Sequence, residues 1–193
     1  MKCHEIYKIP ICAYNTRGHR TGRLYEKSLE LLAGADIQFT RSNRLDVALV
    51  RNHAIALVFL PAADIPRFVG EGNIELGITG QDMVAESEGQ AQLIKEALAL
   101  GFGKCKLQVQ VPTVRTEFKT VHDLLGKKVV TSFEHVAAEY FGTLDKQHGT
   151  KTVIEYIGGS VEAACALGVA DGIVDLVGKL SFLPFLTIDS PQH

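Results

Sequence analysis

Residues Ala54–Leu60 form an unbroken apolar run that Pro61 terminates. A run without polar alternation suits a strand covered on both faces, as in sheets flanked by helices. Ala62–Glu71 then reads as a helix ending near Gly72, Ile74–Ile78 as another strand, and Gly80 as the start of a further helix. Upstream, Leu24–Leu32 carries leucines at 24, 29, 31 and 32 among Glu26, Lys27 and Glu30, an amphipathic helix that ends near Gly34. Ala35–Phe39 and Asp46–Val50 read as short strands around the polar turn Thr40–Arg44, where Arg41 and Arg44 are either an anion patch or solvated charges. Downstream come a short helix at Val121–Leu125, a strand at Lys128–Thr131, a helix at His135–Leu144, a strand at Val153–Ile157, a helix after Ser160 and a strand at Ile173–Val177. Such alternation predicts an α/β fold with mainly parallel sheets.

Lys104–Val111 has a different texture. Cys105, Leu107, Val109 and Val111 alternate with Lys104, Lys106, Gln108 and Gln110, the pattern of a half-buried strand that Pro112 ends. This change predicts a strand crossing between two lobes, in a chain of 193 residues with room for two small cores. The expected division is 1–103 for the first lobe, 104–178 for the second and 179–193 for a tail. A net charge of −2 gives no reason to expect a nucleic-acid or membrane partner. No apolar run approaches the roughly 20 residues that span a bilayer. The start Met1–Pro10, interrupted by Glu5, Lys8 and Pro10, is a poor export signal, so a cytoplasmic location is expected. The four cysteines, at 3, 12, 105 and 165, fit no zinc or redox spacing; Cys105 and Cys165 lie in apolar segments and read as small buried hydrophobes.

The stretch from Gly158 to Leu176 reads as glycine loop, short helix, turn and apolar strand, with Glu162 and Asp175 at its two ends. A glycine loop entering a helix offers free N–H groups to an anion. Two acids beside an anion suit a divalent cation or a positive charge developing on a sugar. The same spacing also describes an ordinary αβ unit with Ser160 as N-cap and Glu162 in the first turn.

Several blocks, taken in order, carry a family resemblance. They are Gly22-Arg23-Leu24-Tyr25, Leu60-Pro61-Ala62-Ala63-Asp64-Ile65-Pro66, Leu76-Gly77-Ile78-Thr79-Gly80-Gln81-Asp82, Gly101-Phe102-Gly103-Lys104-Cys105-Lys106-Leu107, Thr131-Ser132-Phe133, and Gly159-Ser160-Val161-Glu162 through Asp175-Leu176. From Gly22 to Val177 the chain resembles ATP phosphoribosyltransferase. The resemblance implies a two-lobed fold like that of periplasmic binding proteins, with the first lobe on the ATP side and the second on the phosphoribosyl pyrophosphate side. It implies an active site between the lobes and the first step of L-histidine biosynthesis, in which N1 of the ATP adenine joins C1 of the ribose and pyrophosphate leaves. It also implies Mg2+ as cofactor and, for a complete chain, a homo-oligomer. Glu162 and Asp175 match the acids that hold the ribose and would bind Mg2+ and stabilise the ribosyl cation. Gly159, Ser160, Thr131 and Ser132 would serve phosphoribosyl pyrophosphate. Gly22, Arg23, Thr79, Gly80 and Asp82 would serve ATP, Arg23 by a bidentate phosphate contact. Thr131 and Ser132 equally suit helix capping, Asp82 the first turn of a helix, and Arg23 a solvated surface.

The chain also departs from the family pattern. After Asp175-Leu176-Val177 that pattern continues with an acidic or small residue and then Ser/Thr-Gly-x-Thr-Leu/Met, a loop that wraps the ribose 5-phosphate. This chain reads Gly178-Lys179-Leu180-Ser181-Phe182-Leu183. No match to the family's following helix, to its return strand to the first lobe or to a regulatory domain is expected in this stretch, so the first lobe is expected to be incomplete. At the start, Thr21 stands where the pattern has lysine. These departures predict little transferase activity for the chain as written. They leave open an inactive fragment or a non-catalytic two-lobe protein that binds a small anion.

Overall fold

The computed structural model describes residues 7–12, 23–41, 46–158, 161–177 and 185–189; for 7–12, 23, 185, 186 and 189 it describes the backbone alone. The chain divides into two compact units, 1–103 and 104–193. No helix among the described residues is long and apolar enough to cross a membrane.

In the first unit the apolar run becomes β3 (Ile55–Leu60), the centre of a three-stranded sheet. It lies parallel to β1 (Tyr7–Cys12) and antiparallel to β2 (Val47–Leu49). Leu57 and Phe59 are buried and meet Ala48, Val50 and Leu32, the last from α1 (Arg23–Gly34). The buried stripe of α1 differs from the leucine pattern. Leu31 is exposed, while Ser28 is fully buried because its hydroxyl donates to the Leu24 carbonyl at 2.7 Å. Arg41 is neither an anion patch nor a solvated charge. Its guanidinium lies 4.0 Å from the Phe59 ring centroid and donates to the Tyr25 hydroxyl at 3.2 Å.

Two expected strands are not formed. Ala35–Phe39 shrinks to a bridge between Phe39 and Val50, because Asn52 serves the backbone instead. Asn52 Oδ1 accepts from Gln38 N at 3.1 Å and its amide donates to the Asp36 carbonyl. Ile74–Ile78 keeps one bridge residue, Ile78. The helix before it, α2 (Ile65–Gly70), unwinds through Gly72 at φ 73°, and Asn73 N donates back to the Phe68 carbonyl, so its closing turn runs up to the first residue of the expected strand. The helix opened by Gly80 is α3 (Gln81–Glu86).

The second unit holds a mixed five-stranded sheet in the order β6-β5-β7-β4-β8. Its strands are β4 (Lys106–Pro112), β5 (Lys128–Thr131), β6 (Val153–Tyr156), β7 (Gly172–Val177) and β8 (Phe185–Asp189). β5 lies parallel to β6 and β7, whereas β4 runs antiparallel to β7 and β8. The fold class is α/β, with an antiparallel half added by β4 and its neighbours. The described pairings of β4 fall within this unit, and its period-two pattern is incomplete because Gln110 is buried. α4 (Glu134–His148) covers one face of the sheet, with Ala137 and Phe141 against Val109, Val129 and Val174. The short α5 (Val161–Ala166) covers the other, with Val161 and Ala164 against Val130 and Ile173. Cys105 is exposed, contrary to its apolar setting in the sequence, because it lies just outside β4. Cys165 is half-buried, and burial pushes its thiol up to about 11.

Asp145 of α4 ties this helix to the chain entering β6. It accepts from the Thr150 hydroxyl, from Thr152 N at 2.7 Å and from the Thr152 hydroxyl at 2.9 Å, and Gly126 N donates to that same hydroxyl at 3.1 Å. Desolvation alone would raise the Asp145 carboxyl, but the three hydrogen bonds outweigh it and hold the group below its ordinary range. Its stabilisation is therefore present above the unfolded carboxyl range and lost as pH falls through the folded value. Asp145→Ala is expected to cost about 1–2 kcal/mol at neutral pH. Urea unfolding checks this, and the gap to wild type should close in acid.

Candidate functional site

The site is assembled by the α5–β7 unit. Val161 and Ala164, three residues apart, bury one side of α5 against the sheet. Glu162 follows Val161 directly and lies beside that contact, half-buried in the first turn. Across the sheet β7 starts at Gly172, where an added Cβ would stand 2.8 Å from Leu124 Cδ1 and 3.3 Å from the Gln110 carbonyl oxygen, so close packing demands glycine. Two residues on from the buried Ile173, on the same face, comes half-buried Asp175. Asp175 Oδ1 accepts from Leu176 N at 2.7 Å. Burial raises the Asp175 carboxyl above its ordinary range, and the Glu162 charge raises it further against the Leu176 hydrogen bond. The structure thus brings together the two acids singled out in the sequence, on the α5 face of the sheet.

The Thr131 side chain serves the turn into the next helix, the capping role that its place at a strand end also allowed. It is fully buried, its hydroxyl donates to the Val174 carbonyl at 2.7 Å, and it accepts from Phe133 N at 2.8 Å. With both functions of the hydroxyl used inside the fold, Thr131 fastens β5 to β7 and sets the turn into α4. Ser132, next in that turn, is half-buried. Gly159 and Ser160 lie outside the described residues.

In the first unit Thr79, Gly80 and Asp82 gather at the start of α3. The Thr79 hydroxyl donates to the Ala62 carbonyl at 3.3 Å, tying this turn to the chain leaving β3. A Cβ on Gly80 would stand 1.9 Å from Asp82 Oδ1, so the carboxylate folds back over the glycine. Burial raises the Asp82 carboxyl, while the N–H groups of Asp82 and Met83 oppose the rise by donating to it. Asp82 therefore serves the open end of its own helix. Arg23 begins α1, with its side chain outside the description; Gly22 lies outside the described residues.

No group of three or more His, Cys, Asp and Glu side chains is gathered for a metal among the described residues. Two neighbouring carboxylates suit Mg2+, which takes one or two protein carboxylates and completes its shell with water and substrate phosphates.

One residue of this face was missed from sequence. Gln108 lies directly opposite Asp175 in the β4–β7 ladder. The alternating pattern of β4 assigns Gln108 to the polar face, but nothing local says which strand pairs with it.

Residues 61–179 match the family model described as ATP phosphoribosyltransferase. A Candida albicans ATP phosphoribosyltransferase is 59 % identical over 158 residues, covering 82 % of this chain and 51 % of the relative. A Yarrowia lipolytica relative of the same name is 58 % identical over 160 residues, covering 82 % and 53 %. The chain thus spans about half the length of the curated relatives it matches. Among solved structures, the ATP phosphoribosyl transferase (HisG:HisZ) complex from Thermotoga maritima shares the fold with a TM-score of 0.73 at 21 % identity, over 95 % of this chain and 82 % of that one. Across most of its length, the chain belongs to the ATP phosphoribosyltransferase family.

Proposed function

We propose that the chain carries the chemistry of ATP phosphoribosyltransferase: it takes ATP and 5-phosphoribosyl pyrophosphate, joins N1 of the adenine to C1 of the ribose and releases pyrophosphate, the first step of L-histidine biosynthesis. The pairing of Glu162 with Asp175 on one sheet face carries this reading. As the C1–pyrophosphate bond weakens, positive charge grows on the ribose. Two fixed carboxylates in a half-buried setting oppose that charge more strongly than water does. Asp175 is oriented by Leu176 N, and Glu162 by the seating of α5. Bound Mg2+ would neutralise the departing pyrophosphate, held by these two carboxylates. Ser132 with Gly159 and Ser160 would supply N–H groups to phosphate oxygens, and Thr79, Gly80, Asp82, Gly22 and Arg23 would lie along the ATP. A cytoplasmic setting and association of several copies accompany this reading, the latter in keeping with the multi-protein Thermotoga maritima complex.

Turnover by the chain as written is slow in this proposal, because Lys179, Leu180 and Phe182 stand where the family pattern has its phosphate loop. That sequence favours a second reading, Mg2+-dependent substrate binding without catalysis. Calorimetry with 5-phosphoribosyl pyrophosphate, with and without Mg2+, tests both, followed by ATP addition and a pyrophosphate assay. Mg2+-dependent binding with turnover far below ordinary enzymatic rates is expected. Absence of Mg2+-dependent binding both here and after Lys179→Ser, Leu180→Gly and Phe182→Thr overturns the reading of the acid pair, and rapid turnover overturns the argument from the loop.

A further inference from the structure

The face of β4 that looks toward α5 carries Lys106, Gln108 and Gln110, because Gln108 and Gln110 stand opposite Asp175 and Ile173. Directly opposed residues of an antiparallel pair share a face, with Cβ atoms about 5 Å apart. On the other side of β4 runs β8, whose register slips at Val109/Gln110 and sets Thr187 opposite Gln110. The Thr187 hydroxyl reaches diagonally and donates to Gln108 Oε1 at 3.1 Å. β7 and β8 flank β4, and this bond holds the amide oxygen of Gln108 on the β8 side.

We propose that Gln108 is a specificity-determining residue of the acid-pair site: its NH2 and the Asp175 carboxylate bracket one hydroxyl of a bound ribose, with Thr187 fixing the orientation of the amide. A sugar hydroxyl donates one hydrogen bond and accepts others. Asp175, ionised, only accepts, while the Gln108 NH2 only donates. The two side chains together therefore match a hydroxyl and mismatch a position lacking one. β8 lies beyond residues 61–179, the stretch matched by the family model, and through Thr187 it acts on the site. The inference rests on the reading of Glu162 and Asp175 as the ribose site.

Titration of the full chain with 5-phosphoribosyl pyrophosphate and Mg2+ tests it, in the wild type, Gln108→Leu, Gln108→Glu and Thr187→Val. Gln108→Leu is expected to bind about tenfold more weakly, the loss of one hydrogen bond to a buried polar partner. Gln108→Glu, an acceptor beside two acids, should lose more. Thr187→Val, at an exposed position that spares the core, should lose a few-fold. In 15N spectra of the wild type the Gln108 side-chain NH2 resonance should move on ligand addition, a signature that a purely structural glutamine would not give. Equal binding by wild type, Gln108→Leu and Thr187→Val, or an unmoved resonance in a saturated sample, overturns this inference and leaves the site reading intact. A chain that binds neither as wild type nor after Lys179→Ser, Leu180→Gly and Phe182→Thr overturns both.

Discussion

Asp175→Asn is expected to weaken Mg2+-dependent binding of 5-phosphoribosyl pyrophosphate by about 100-fold while leaving the chain at least as stable as wild type. The two effects have one origin. The Asp175 carboxyl is raised first by burial and then by the neighbouring Glu162 charge. A carboxyl raised above its unfolded value contributes stability only while protonated, and that contribution is lost as pH rises through the folded value. At neutral pH the ionised group therefore opposes folding, and an amide of the same shape removes the opposition. The same charge is what a magnesium ion or a ribosyl cation needs. A charge-assisted contact contributes about 1.5–3 kcal/mol, which is 10- to 150-fold in affinity. Glu162→Gln should behave alike. Because the two acids act as a unit, the double variant should fall short of the product of the single losses. Calorimetry and thermal unfolding on the same samples provide the check. A variant that loses binding because it unfolds would show both carboxylates to be structural.

Local chemistry made much of this fold readable. The unbroken run through Leu57 and Phe59 marks a central strand because every position is apolar, and β3 is central. The two acids were legible as a pair because a helix start and a strand joined by a short turn return to the same sheet face. What could not be read depends on partners distant in sequence. The place of Thr131 at a strand end suits a ligand contact and a cap alike, and only the fold shows its hydroxyl bonded to Val174, 43 residues away. Arg41 looks solvated in its polar turn, yet it stacks on Phe59 across the sheet. Gln108 gains a role only from its register with Asp175 and Thr187. Ile74–Ile78 has strand composition, yet only Ile78 takes part in a bridge. Periodicity reports which face a residue occupies, whereas register decides what it meets there.

The combined change Lys179→Ser, Leu180→Gly and Phe182→Thr should restore the family pattern after Val177, since Gly178 is already small and Leu183 already fits its last position. It is expected to tighten 5-phosphoribosyl pyrophosphate binding by about three to six orders of magnitude. The estimate follows from about three charge-assisted hydrogen bonds from loop N–H and hydroxyl groups to the 5-phosphate, each about 1.5–3 kcal/mol. Glycine matters most, because a backbone that wraps a phosphate needs conformations leucine resists and a close approach that a Cβ obstructs. The effect should be specific. Pyrophosphate alone, which has no 5-phosphate, should bind the changed chain and the wild type equally. Parallel titrations with ribose 5-phosphate, 5-phosphoribosyl pyrophosphate and pyrophosphate separate these contributions. Tighter binding of the first two alone assigns the deficit to residues 179–182. Unchanged affinity for ribose 5-phosphate would show that these three residues do not limit binding, and the source of weak binding would then lie at the acid pair.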